Sequence, residues 1–100
     1  MGRRLDQWLW FARLTRSRSL AARLCVAGTV VVNGVAARKP SQAIRVGDAV
    51  TVTQGPGRRT LRVLALGRHR GPPAEARSLY EETAAMAAEP AARWAPLLFD

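Results

Sequence analysis

Arg13, Arg16, Arg18, Arg23, Arg38 and Lys39 crowd into one stretch of this 100-residue chain, with the hydroxyls of Ser19 and Ser41 among them. The chemistry such residues perform is anion capture. An arginine fork matches two phosphate oxygens at once and stacks on a base, which lysine cannot do. Residues 14–44 contain no aspartate or glutamate, so nothing within the stretch neutralises its charge. Like charges left together cost stability, and a polyphosphate partner would offset that cost.

Catalytic chemistry finds no footing. The single histidine, His69, lies between Arg68 and Arg70, a setting that disfavours a proton-accepting base and suggests an exposed basic loop. Asp6 and Asp48 read as parts of a helix flank and a turn, so no Ser-His-Asp set assembles. With one cysteine, Cys25, there is neither a disulfide framework nor a cysteine-rich metal site. Gly55 and Gly57 resemble a nucleotide-binding loop only superficially: Pro56 interrupts them, and no Lys-Ser/Thr follows. The reading is a protein without catalytic residues, metal, cofactor or small-molecule substrate.

Charge is divided along the chain. The sequence holds 16 Lys+Arg and 7 Asp+Glu for a net charge of +9, yet residues 1–70 carry +12 and residues 71–100 carry −3. A cationic segment of this kind suits a polyphosphate or an anionic surface. Part of the arginine and alanine excess is also what a G- and C-rich genome would produce. No apolar run approaches the length of a membrane span, and the Met1–Arg4 start lacks the apolar core of a secretory signal. Position 6 is Asp, which fails the myristoylation pattern. A reducing cytoplasm is the expected compartment.

Two short helices must position the cations. In the first, expected over about residues 5–14, Leu5, Trp8, Leu9 and Ala12 form one buried stripe, with Asp6, Trp10 and Arg13 on a flank. Trp10 reads as rim packing, with a base-stacking platform as the alternative. The second helix starts at Ser17 as N-cap and stops at Gly28. Leu20, Ala21, Leu24 and Ala27 form its apolar face, and Arg16, Ser19 and Arg23 line its polar side with Arg18 nearby. Cys25 borders the apolar face and reads as an inert core thiol.

A β-rich stretch follows. The β-branched run Thr29–Val32 leads into Asn33-Gly34, a strong hairpin signal. After the basic loop Arg38-Lys39-Pro40-Ser41, residues 44–52 supply a strand around the Gly47-Asp48 turn. A turn at 54–57 leads to a strand over 60–66. Beyond Gly71-Pro72-Pro73, the alanine-rich segment 74–88 favours a helix with Leu79, Thr83 and Met86 on one side. Trp94, Leu97, Leu98 and Phe99 form an apolar tail expected to fold back on the sheet. The expected class is α+β, with two N-terminal helices on a small antiparallel twisted sheet plus a C-terminal helix. Residues 1–66 form the core and 67–100 the tail of a single domain.

The runs Arg4-Leu5-Asp6-x-Trp8-Leu9-Trp10, Arg13, Arg16-Ser17-Arg18-Ser19, Gly28-x-Val30-x-Val32-Asn33-Gly34, Lys39-Pro40-Ser41 and Val46-Gly47-Asp48 resemble the S-4 RNA-binding domain with its two-helix αL motif. The resemblance covers about residues 3–54. Trp8-Leu9-Trp10 and Leu79-Tyr80-Glu81-Glu82-Thr83 look like one bacterial subfamily, the ribosome-associated heat-shock protein 15 group. The resemblance implies the αL fold and a stand-alone module that binds structured RNA. In that group the target is the large ribosomal subunit stalled with a nascent chain and peptidyl-tRNA. Members of the group continue into a longer basic C-terminal extension, whereas residues 71–100 here are acidic and apolar.

The expected RNA contacts are Arg13, Arg16, Arg18 and Arg23 on the helices and Arg38 and Lys39 on the loop. Ser19, Ser41, Asn33 and Gly34 add short-range contacts. The expected partners are ribosomal or transfer RNA, bound by a monomer without membrane contact. Two rival readings are a protein-interaction adaptor working through the apolar tail and a DNA binder using the second helix. The β-rich stretch after Gly28 argues against the usual helix-turn-helix bundle.

Overall fold

A computed structural model of the chain describes residues 2–37, 39–54 and 57–85. The helix pair is α1 (Leu5–Phe11) and α2 (Arg18–Val26). The stripe read from helical spacing is the stripe that packs: Leu5, Trp8, Leu9 and Ala12 are buried. The first helix ends before residue 14, because Arg13 adopts φ 59° and the Leu14 N–H reaches back to Leu9 O at 3.0 Å. That left-handed turn closes α1 and sends Leu14 and Thr15 inward, where both are buried.

For α2, Ser17 is the N-cap, its Oγ accepting from the Leu20 N–H at 3.0 Å. Gly28 follows the C-cap at φ 81°, a conformation that most side chains resist. Leu20 and Ala21 are buried and Leu24 half-buried, but Ala27 is exposed and Cys25 takes its place in the core at 0% exposure.

The main sheet is antiparallel, with spatial order β3–β2–β5–β6–β7. Its strands are β2 (Val30–Val32), β3 (Val35–Ala36), β5 (Ala49–Gln54), β6 (Gly57–Val63) and β7 (Tyr80–Ala85). Asn33 and Gly34 turn the first hairpin with φ 52° and 85°, the doubly positive geometry that matches strand twist. A second small pairing joins β1 (Arg3–Arg4) to β4 (Ala43–Ile44). The inner sheet face presents Val30, Val50, Val52, Leu61 and Val63 to Leu5, Trp8 and Leu9, forming one core.

The segment after Gly71 departs from the sequence reading. Within the described part of the helix expected over 74–88, α3 (Pro73–Ala76) is followed by a 3-10 turn at Arg77–Leu79 and residues 80–85 are strand, while residues 86–88, Met86 among them, lie outside the described residues. Strand β6 would otherwise end the sheet with unpaired backbone groups. Strand β7 pairs with it, with a register shift opposite Thr60 and Leu61. A bidentate contact from Arg59 to Glu82 at 3.0 and 2.8 Å fastens the two strands. Alanine's helix preference amounts to a few tenths of a kcal/mol per residue and yields to this pairing. Strand β7 is thus the edge strand of this sheet, next to β6. Likewise β6 occupies 57–63, and the Leu64 and Ala65 N–H groups turn out of the sheet to Leu79 O at 2.8 and 3.2 Å. The Trp94–Phe99 tail lies outside the described residues.

Candidate nucleic-acid interface

The start of α1 organises the basic surface. No side chain caps this helix, and its first N–H groups need acceptors. The loop after β3 supplies them: Leu5 N–H donates to Gln42 O at 2.8 Å and Asp6 N–H to Pro40 O at 3.1 Å. Lys39 and Ser41, both exposed, are thereby held against the helix terminus. Asp6 is only 3% exposed. Its Oδ1 and Oδ2 accept from Arg4 Nε and Nη2 at 3.1 and 3.2 Å, and Arg18 Nε lies 3.5 Å from Oδ2.

This arrangement corrects one inference from sequence. The cluster is not wholly uncompensated, because an acid from outside the 14–44 stretch folds onto Arg18. Even so, Arg4 and Arg18 keep 48% and 43% of their side-chain surface in solvent. Arg16, Ser19 and Arg23 are exposed along with Arg18 on and beside α2. The helix pair and the 39–41 loop therefore form a joined basic surface.

Other expected contacts have intramolecular roles. Arg13 is half-buried, and its Nε donates to Gly71 O at 2.7 Å, tying the end of α1 to the loop before α3. The Asn33 amide spans the neighbouring turn, with Nδ2 donating to Asp48 Oδ1 at 3.1 Å and Oδ1 accepting from Ala49 N–H at 2.9 Å. Gly34 sits exposed at the same hairpin tip. The Val32–Val35 pair adjoins that tip, whereas Ala37 N–H bonds to Val30 O at the other end of the hairpin, where the loop to Lys39 departs. The tip and the 39–41 loop therefore stand at opposite ends of β2. Arg38 lies outside the described residues.

Trp10 resolves as rim packing: half-buried, it packs on the core and carries Arg70 over its ring. Burial against this surface and the nearby Arg13 charge lower the Arg70 pKa from its ordinary value. Cys25 is buried, and desolvation, assisted by the Asp6 charge, pushes its thiol up to about 11. His69 is exposed as expected, but its Nε2 lies 3.3 Å from Glu75 Oε1, a contact with α3 that sequence spacing did not suggest. The part played by Arg4 was also hidden. The Arg4-x-Asp6 spacing was its only signal, and it gained meaning once Asp6 proved buried.

Residues 3–50, which hold the helix pair, the first hairpin and the 39–41 loop, match the family described as S4 domain. Heat shock protein 15 of Escherichia coli strain K12 is 43% identical over 81 residues, covering 81% of this chain and 60% of the relative. The heat shock protein 15 homolog of Aeromonas salmonicida is 43% identical over 82 residues, covering 82% of this chain and 61% of the relative. A solved structure of Vibrio cholerae heat shock protein 15, described as trimeric, superposes with a TM-score of 0.78 at 39% identity and covers 84% of each chain. The chain belongs to the heat shock protein 15 family of S4-domain proteins. It spans about 60% of the length of the curated relatives it matches.

Proposed function

We propose that this protein is a non-enzymatic RNA-binding module of the cytoplasm that grips folded RNA through the α1–α2 pair and the 39–41 loop. The contacts are Arg16, Arg18, Ser19 and Arg23 with Lys39 and Ser41, joined by Arg38 from the same loop and Gly34 from the hairpin tip. The observation that carries this reading is the junction at the start of α1. There the loop bearing Lys39 and the helix bearing Arg18 meet on one exposed cationic surface. A-form RNA hides its base edges in a deep groove, so a rigid basic patch reads backbone and shape. Arg13 is engaged within the protein and supports the interface by tying the end of α1 to the loop before α3, whereas Asn33 braces the hairpin tip that carries Gly34 against the 48–49 turn.

The proposed target is ribosomal or transfer RNA on the large ribosomal subunit, in a heat-shock or stalled-ribosome recycling role. Family membership and the excess of exposed arginine support that reading. One copy carries the whole proposed contact set, so binding is proposed for a monomer; the trimer is a description of the Vibrio cholerae protein. The test is titration of RNA with the protein across salt concentrations, followed by co-sedimentation with separated ribosomal subunits. Log K is expected to fall by about 0.7–0.9 per phosphate contact per log unit of salt, with the protein travelling with the large subunit. A flat salt response, or travel with the small subunit alone, would refute the corresponding part.

A further inference from the structure

We infer that Asp6 is the positioning residue of this interface, holding Arg4 and Arg18 in register with the 39–41 loop. The inference rests on the RNA-binding reading above and deepens it. By charge alone, an acid at the centre of a phosphate-binding surface is a liability, since it cancels one of the cations it touches. Burying its carboxylate adds a desolvation cost that only close, hydrogen-bonded partners offset.

Those partners come from separate parts of the chain. Arg4 precedes α1 and hydrogen-bonds the carboxylate through Nε and Nη2, while Arg18 opens α2 and forms an ion pair with it through Nε at 3.5 Å. The Arg18 side chain keeps 43% of its surface in solvent, which leaves it accessible to an anion. The Asp6 backbone N–H anchors Pro40 O at 3.1 Å, between Lys39 and Ser41. One residue therefore joins three segments through its side chain and its main chain. Long arginine side chains lose considerable rotamer entropy when they bind, and a carboxylate that orders them beforehand removes part of that cost from the binding step.

The discriminating variant is Asp6→Asn, which keeps the shape and the backbone anchor but removes the charge. If Asp6 only offsets positive charge, the variant gains a net positive charge and should bind a fluorescein-labelled A-form RNA hairpin more tightly, with a steeper salt slope. Positioning predicts the reverse. Affinity should weaken about tenfold, as for loss of a charge-assisted contact, and the salt slope should flatten by about 0.7–0.9. In a double-mutant cycle, Asp6→Asn should cost less in the Arg18→Ala background than in the unaltered protein, the remainder being its hold on Arg4, whereas full additivity would overturn the inference.

Circular dichroism checks that each variant is folded at the assay temperature. A measurement on the unaltered protein needs no variant: the Arg18 Nε–Hε group should show a rigid heteronuclear NOE before RNA is added. A mobile Arg18 would overturn the inference even if Asp6→Asn fails to fold. Absence of binding by the unaltered protein would overturn the RNA reading and this inference together. Tight binding that Asp6→Asn leaves unchanged or improves would overturn this inference alone.

Discussion

Trp10 holds Arg70 twice, through its ring and through its backbone. The Arg70 guanidinium carbon lies 5.6 Å from the indole centroid, while Arg70 Nε donates to Trp10 O at 3.1 Å. The pair connects the end of α1 to the loop before α3 across 60 residues of sequence. Arg13, bonded to Gly71 O, makes a parallel connection. This loop is thus clamped to the first helix by two arginines that sequence alone would assign to solvent or ligand.

Arg70→Ala should therefore act on stability. Losing a partly exposed cation–π contact and one hydrogen bond should cost about 1–2 kcal/mol. Urea denaturation measures the loss, and RNA affinity should change no more than removal of a peripheral charge requires. A large drop in affinity of the folded variant would place Arg70 on the interface.

Asn33→Ala removes both hydrogen bonds to the 48–49 turn from a residue held at positive φ. The expected cost is about 1–2 kcal/mol, moderated by the exposure of both bonds. Thermal melting tests this, with RNA affinity of the folded protein nearly intact.

Leu61 is fully buried at the centre of the sheet's inner face. Leu61→Ala should destabilise by about 2–5 kcal/mol through the cavity it leaves. Leu24→Ala, at a half-buried position, should cost less, and Arg23→Ala should barely move the melting curve. Equal effects of Leu24→Ala and Arg23→Ala would contradict the assignment of the α2 faces.

Cys25 links stability to alkaline pH. The folded state raises its thiol from 9.0 to about 11. Between those values the unfolded chain releases a proton that the folded chain keeps, so the unfolded state binds fewer protons. This stabilising contribution is complete below pH 9 and declines as pH rises toward about 11. Cys25→Ala should lack that part of the decline in denaturation curves compared across this window. The native thiol should also resist a disulfide reagent at neutral pH until the protein unfolds.

Replacing Arg16, Arg18 and Arg23 together with glutamate reverses the charge along one edge of the helix pair. RNA affinity at low salt should fall by several kcal/mol, read by fluorescence titration with circular dichroism as the folding control. Undiminished binding would move the interface elsewhere.

Local chemistry makes much of this protein legible in the sequence alone. The buried stripe of α1 follows from helical spacing, and the limits of α2 from a serine cap and a glycine stop. The first hairpin follows from two adjacent residues that tolerate positive φ. Each signal is complete within a few neighbouring residues, where backbone preference and periodicity dominate. The exposed cations of α2 and Lys39 were legible for the same reason.

Only tertiary structure decided the rest, because the deciding partners are distant in sequence. Residues 80–85 follow the open edge of β6 and the Arg59–Glu82 contact rather than their own helix preference. Arg13 and Asn33 became struts because Gly71 O and the Asp48 turn came within reach. Asp6 read as an ordinary flank acid, yet folding buried it between Arg4 and Arg18. Propensity acts within one turn of chain, whereas burial and charge pairing act across the whole fold, and where the two conflicted, the long-range contacts prevailed.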